Sequence, residues 1–380
     1  MDLEKEFEKI RPYKDKEVPL AIKKLLKHEK FESLLPSLSV GREQEEVLSL
    51  LNSVKTIYDF QTHFSQVFLK YIIKTTSDGF SFSGLENIKN KAHLFIANHR
   101  DIILDTAFLQ MMLYDNDLPT TQITVGDNLM KNSLFNLLGR LNKVFTLKRG
   151  GGRIEMYKNA VIHSRYINKT ILEDKESMWI AQRDGRTKDG DDKTQQGLLK
   201  MLLGDRRDVA DALKELAIVP VSISYEFEPC LKTKVKELYH LQEEGVYSKE
   251  ENEDMKSSVQ SIFAQKGRIH LAFGKPLNKI FISEDNLNLS NNDIINLFVE
   301  EIDKQIYSNF KLWPNNYIAF DLLEGKGQFK KEYSEEEFEK FNSYISETIK
   351  KIQGDVETLR ELALKIYANP VKNKTNSDWK

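Results

Sequence analysis

The chain has 380 residues, 40% apolar and 30% charged, enough for a sizeable core in one large domain or two ordinary ones. With 56 basic against 58 acidic residues the net charge is -2, which argues against a general nucleic-acid-binding surface. The single cysteine, Cys230, rules out an intrachain disulfide and fits a reducing cytoplasm; the charged start M-D-L-E-K-E-F-E-K-I lacks the apolar core of a secretory signal; and no apolar run approaches the ~18 residues of a membrane span.

Residues 1–78 read as an N-terminal helical region. Within 56–74, Ile57, Phe60, Phe64, Val67, Phe68, Tyr71 and Ile72 recur at steps of three and four, the pattern of an amphipathic helix. The expected role is packing on the main domain. Membrane contact through Phe60, Phe64 and Phe68, flanked by Lys70 and Lys74, is the functional alternative.

From Gly79 to about Gly274, strand and helix patterns alternate. F-S-F-S, L-F-I-A, T-Q-I-T-V, K-V-F-T-L-K, S-M-W-I-A-Q, A-I-V-P-V-S-I-S-Y and R-I-H-L-A-F read as strands. Helices are expected after His99, around S-L-F-N-L-L, over 153–173, 194–203 and 206–216. The fold class is therefore α/β: a mostly parallel sheet flanked by helices, with the N-terminal helical region before it and C-terminal helices after it. The expected divisions are 1–78, 79–285 (with 231–266 as a polar helical insertion) and 286–380. Helices are predicted over 292–312 and 334–367, and the last ten residues are expected to fray.

The most informative stretch is L-F-I-A-N-H-R-D-I-I-L-D, 94–105. It places His99 at the end of a buried strand, two and six residues before Asp101 and Asp105. Imidazole accepts a proton near neutral pH, and a carboxylate can fix its tautomer, so this is a candidate general base. The structural alternative is a polar strand-to-helix turn capped by Asn98 or Asp101. Three more strands also end in polar residues: G-D-N-L-M at 126–130, Lys148-Arg149 with Gly150–Gly152, and Q-R-D-G-R-T-K-D-G at 182–190. In a parallel sheet these ends converge on one edge, where ligands bind. Residues 140–200 hold 14 Lys/Arg against 8 Asp/Glu, a local positive excess that suits an anionic ligand. The histidines are scattered, so no metal cluster is expected.

These blocks resemble the glycerolipid O-acyltransferases, a family that includes glycerol-3-phosphate and lysophosphatidate acyltransferases. N-H-R-D-I-I-L-D is similar to its first block, N-H-x-x-x-x-D. G-D-N-L-M with L-G-R-L-N-K-V-F-T-L-K-R resembles its second, W-I-A-Q-R-D-G-R-T-K occupies the place of its third, P-E-G-T-R-S, and I-V-P-V-S-I matches its fourth. The resemblance spans about 78–280. R-P-Y near the start and L-W-P-N-N-Y-I-A near the end look like a bacterial subgroup.

Two positions depart from the family pattern. The histidine-to-aspartate spacing is one residue longer. On a regular helix six positions turn about 600°, leaving His99 and Asp105 about 120° apart. Either the turn is irregular and delivers Asp105, or Asp101 is the partner; the family's apolar-Asp ending favours Asp105. Arg183-Asp184 stand where the family has Pro-Glu, which bears on the acceptor more than on the chemistry.

The resemblance implies transfer of a fatty acyl group from a thioester, acyl-CoA or acyl-carrier protein, to a hydroxyl of glycerol 3-phosphate or its 1-acyl derivative. His99 would be the base and Asp105 its orienting partner. Arg149, Arg186 and Lys148 would bind the acceptor phosphate, with Asp184 and Gly185 shaping its pocket. No cofactor beyond the acyl donor is implied. The expected setting is the inner face of the cell membrane, attached peripherally. The alternatives are the same chemistry on an amino-acid-derived lipid or lysophospholipid, or a non-catalytic lipid-binding protein on the same fold. No G-x-S-x-G elbow points to an esterase.

Overall fold

The computed structural model describes residues 2–88, 91–249, 253–279 and 289–377. Seven strands form one sheet: β1 (Gly79–Ser83), β2 (Leu94–Ala97), β3 (Gln122–Gly126), β4 (Val144–Leu147), β5 (Met178–Ala181), β6 (Val219–Tyr225) and β7 (Arg268–Phe273). Their order across the sheet is β1-β7-β6-β2-β5-β3-β4. Every adjacent pair is parallel except β6 and β7, which run antiparallel with Val221 opposite Phe273. The sheet is thus mostly parallel and flanked by helices, as the alternation predicts.

The central strands are apolar because both faces are covered. Leu94, Ile96, Met178 and Ile180 point to one face, into a core with the helices Arg153–Asn168, Gln196–Leu203 and Asn291–Asn309. Phe95, Ala97, Trp179, Val219 and Val221 point to the other, against Leu104–Asp115 and Gln66–Thr76. This split is the two-residue period of a strand read twice. A third apolar cluster joins the N-terminal helices to Leu141. A fourth joins Leu231 and Val235 to the C-terminal helices Pro314–Glu324, Glu335–Ile349 and Val356–Ser377.

Several expectations change in the folded chain. The amphipathic stretch over 56–74 is helical from Ile57 to Thr76, but Gln61–Ser65 form a wider, π-type turn within it. Phe60 and Phe64 are 2% and 1% exposed, and Phe68 packs half-buried at the edge of the sheet core. Burial removes these aromatics as a membrane contact; Lys70 pairs instead with Asp115 at 2.7 Å. Of the last ten residues, expected to fray, 371–377 continue the last helix, which runs to Ser377 and buries Val371, because its inner face completes the C-terminal core. The predicted boundary at 285/286 and the last three residues lie outside the described residues.

Candidate active site

The parallel strands β2, β5, β3 and β4 are neighbours, so their carboxyl ends share one edge. The loops leaving them are tied together by backbone bonds. Gln182 N–H donates to Ala97 at 2.8 Å and Thr187 N–H to the His99 carbonyl at 2.7 Å. The segment after β5 is thereby held against the segment after β2. Between them lies a cleft of about 500 Å³ whose walls include His99, Trp179, Arg149, Arg183, Asp184, Gly185 and Arg186.

The chain after β2 does not enter a helix at once. The helix begins at Leu104, so residues 98–103 form an irregular turn. That turn removes the angular problem of a six-residue spacing on a regular helix. Asp105 Oδ2 meets His99 Nδ1 at 2.9 Å. The same oxygen accepts the Arg100 and Asp101 backbone N–H groups at 2.6 and 2.8 Å. Oδ1 accepts the Tyr225 hydroxyl at 2.7 Å. A carboxylate only accepts, so this contact assigns the proton to Nδ1 and leaves Nε2 with its lone pair for the cleft. Trp179 sets its ring edge-to-face against His99, with centroids 5.5 Å apart.

Asp101 has a different task. Its Oδ1 accepts from Ile103 and Leu104 N–H at 2.9 and 2.7 Å, which satisfies amides at the start of the helix. Its Oδ2 accepts from Cys230 Sγ at 3.3 Å. Burial, and then the Asp101 charge, push the Cys230 thiol up to about 12, so it remains a thiol.

Beneath the turn runs a buried polar network. Asn98 pins β6 through Ile223, accepting its N–H at 2.7 Å and donating to its carbonyl at 3.0 Å. Asn98 also donates to Asp192 at 3.2 Å, and Arg100 donates to the same carboxylate oxygen at 2.6 Å. Arg100 lies 3.6 Å from Glu228, which pairs with Lys234 at 2.5 Å. All four charged side chains of this chain are at most 5% exposed. Burial works against the Arg100 charge, and Asp192 and Glu228 outweigh it. Phe310 stacks on the Arg100 guanidinium at 5.2 Å, and the Tyr367 hydroxyl accepts the Glu228 N–H at 2.8 Å. The C-terminal helices therefore support the turn that carries His99.

The remaining candidates divide. Arg149 pairs with Asp184 at 2.5 Å across the cleft mouth, and both are well exposed. Gly126 makes room for this: a Cβ there would stand 2.6 Å from Asn128 Oδ1 and 3.1 Å from Arg149 Cζ. Gly185 turns the wall with φ +72°, in the left-handed region. Arg186 is 8% exposed, donates to Ser257 Oγ at 3.2 Å and lies 3.9 Å from Asp254. Lys148 does not join them. It is absent from the cleft wall, and its Nζ sits 3.5 Å from Glu6 of the first helix. The alternation of β4 turns the side chain after Leu147 away from the one after it.

Sequence reasoning passed over Tyr225, Trp179, Asp192, Lys249, Asp254 and Ser257 as site residues. The last three fall in the expected polar insertion, yet Lys249 and Asp254 line the cleft and Ser257 holds Arg186. A tyrosine ending a buried strand was the legible signal for Tyr225; nothing local marked the others.

A second, apolar cavity of about 250 Å³ adjoins the cleft and shares Ile102, Thr106 and Val125 with it. Phe60, Phe64, Phe68, Leu104, Ala107 and Leu138 are among its walls, so the N-terminal helices roof it.

Residues 79–224 match the Acyltransferase family model. The matched stretch contains His99, Asp105, Arg149, Asp184, Gly185 and Arg186. Over 270 residues the chain is 24% identical to the dihydroxyacetone phosphate acyltransferase of Bos taurus, covering 69% of this chain and 37% of that relative. The chain thus spans little more than a third of that relative's length. The solved 1-acyl-sn-glycerophosphate (LPA) acyltransferase PlsC of Thermotoga maritima aligns over 76% of this chain and 96% of its own, at 15% identity and a TM-score of 0.32. Among the described residues no helix is long and apolar enough to cross a membrane.

Proposed function

We propose that the cleft transfers a fatty acyl group from an acyl thioester to a hydroxyl of a phosphorylated glycerol, glycerol 3-phosphate or its 1-acyl derivative. The observation that carries this is the His99–Asp105 pair at 2.9 Å facing a cleft that also holds Arg149 and Arg186. His99 Nε2 takes the acceptor's hydroxyl proton as its oxygen attacks the thioester carbonyl. Asp105 holds the ring and balances the imidazolium charge. The tetrahedral intermediate collapses with loss of the C–S bond, and the imidazolium returns the proton to the departing thiolate. Ester and thiol are the products. Arg149 and Arg186 bind the acceptor phosphate, with Asp184 and Gly185 shaping the wall. The apolar cavity beside the cleft takes the acyl chain.

The donor is acyl-CoA or acyl-carrier protein. The matched relative's name adds dihydroxyacetone phosphate to the acceptors worth testing. The reading places the reaction at the cytoplasmic face of the cell membrane, since an acylated glycerophosphate partitions into lipid. The test is a labelled acyl thioester, as the coenzyme A or carrier-protein form, offered with glycerol 3-phosphate, dihydroxyacetone phosphate, lysophosphatidate, a lysophospholipid and glycerol. Ester formation only with phosphorylated acceptors is expected. Lipid binding without ester formation by a folded protein would favour a non-catalytic role.

A further inference from the structure

Residues 149–158, R-G-G-G-R-I-E-M-Y-K, are all exposed. They run from the cleft wall at Arg149 through a glycine turn into the first turns of the helix Arg153–Asn168. The later half of that helix is buried from Val161 to Ile167 apart from Arg165, so its start projects from the body while its end is anchored in the core. The projecting part also carries large apolar side chains. Ile154 is 87% exposed, the highest value among the large apolar side chains described, and Tyr157 and Met156 are 64% and 56% exposed.

Helical spacing sorts these side chains. Ile154, Tyr157 and Lys158, at i, i+3 and i+4, share one outward face, with Arg153 beside Tyr157. Met156 lies on another side and lines the cleft. The one acid of the segment, Glu155, folds its carboxylate back over Gly151. The outer face therefore presents an aliphatic and an aromatic side chain flanked by two cations, directly beside the cleft mouth. Apolar side chains immersed at a lipid interface, with tyrosine at the headgroups and cations on anionic phosphates, satisfy this arrangement; water does not.

We propose that residues 153–158 form a docking element that seats the cleft mouth on an anionic lipid surface, with Ile154 and Tyr157 entering the interface and Arg153 and Lys158 meeting headgroup phosphates. It rests on the acyltransferase reading for its purpose: an apolar product leaves the cleft into lipid without crossing water. It also replaces Phe60, Phe64 and Phe68 as the membrane contact.

The experiment is flotation of the full chain with vesicles of phosphatidylcholine alone and of phosphatidylcholine mixed with phosphatidylglycerol. The wild-type protein is expected to float with the mixed vesicles and much less with the neutral ones. The Ile154→Ser/Tyr157→Ser variant should lose more than about tenfold in vesicle affinity. Arg153→Gln and Lys158→Gln should each lose about fivefold, only on the anionic vesicles. All four side chains are exposed, so circular dichroism and Tm should match wild type. Wild-type protein that ignores both vesicles, or a double Ser variant that floats like wild type, overturns the proposal. So does a variant that floats normally but loses affinity for acyl-carrier protein, since the face would then serve an acidic protein. Turnover of a short-chain acyl-CoA on the same preparations reports separately on the acyltransferase reading, so the failure of either is distinguishable.

Discussion

Tyr225 donates its hydroxyl to Asp105 Oδ1 at 2.7 Å, on the carboxylate oxygen that His99 does not use. Burial, and then the Asp105 charge, push the phenol well above its usual range, so it remains a donor. The last residue of β6 thus fixes a carboxylate 120 positions earlier in the chain. His99→Ala should cost roughly 10²–10⁴-fold in kcat, the usual worth of a general base. Tyr225→Phe removes a hydrogen bond to a charged group, worth about 1.5–3 kcal/mol in such settings. It should lower kcat with little change in the acceptor KM. Normal turnover in a folded His99→Ala protein ends the base assignment.

The two aspartates separate by readout. Asp105→Asn should lower kcat strongly. Asp101→Asn keeps an acceptor for Ile103 and Leu104 N–H and should cost about 1 kcal/mol or less in stability with turnover nearly intact. Chemical denaturation and steady-state kinetics on both variants check this; the reverse pattern would make Asp101 the functional partner.

Arg149 pairs with Asp184, so an acceptor phosphate would have to compete for it. Arg149→Gln should raise the acceptor KM about tenfold or more, and Arg149→Lys should not rescue it, because a point charge does not reproduce a guanidinium fork. Asp184→Asn frees the guanidinium and should lower the acceptor KM or leave it unchanged. Equal KM values for phosphorylated and uncharged acceptors across these variants would remove the anion site.

The apolar cavity predicts chain-length selection. Ala107 lies on its wall beside Thr106, which also lines the cleft. Ala107→Leu fills part of the space, so long-chain thioesters should lose turnover while short-chain ones keep theirs. A uniform loss at every chain length would place the chain elsewhere.

His163 gives a pH signature outside the chemistry. Burial, and then Lys148, lower its pKa to about 4, and its Nε2 accepts the Lys148 N–H at 3.1 Å. A folded pKa below the unfolded value of ~6.5 means the unfolded chain takes up the proton first. The stability it supports is therefore full above pH ~6.5 and falls as pH drops towards about 4. Asp303 acts oppositely in part of that range: burial raises its pKa to about 6, so it gains stability on acidification. Comparing Tm against pH for wild type and His163→Gln isolates the histidine. The variant should be flatter between pH ~6.5 and about 4; parallel curves would refute the assignment.

The sequence by itself determined the α/β class, the seven strands and the strand-end positions of His99, Arg149 and Asp184, because apolar runs closed by polar residues are a local signal. It also exposed the spacing conflict at Asp105. Only the tertiary structure resolved that conflict, through six residues of irregular turn held by Asn98, Arg100 and the buried carboxylates of Asp192 and Glu228. Those partners lie some 90 to 130 residues away in the chain. The same holds for Lys148, which adjacency in the sequence grouped with Arg149 at the strand end and packing turned to Glu6. It holds again for Phe60 and Phe64, whose spacing is alike whether they face lipid or a core. Periodicity tells which residues share a face; what covers that face is decided by segments distant in sequence that only the folded chain brings together.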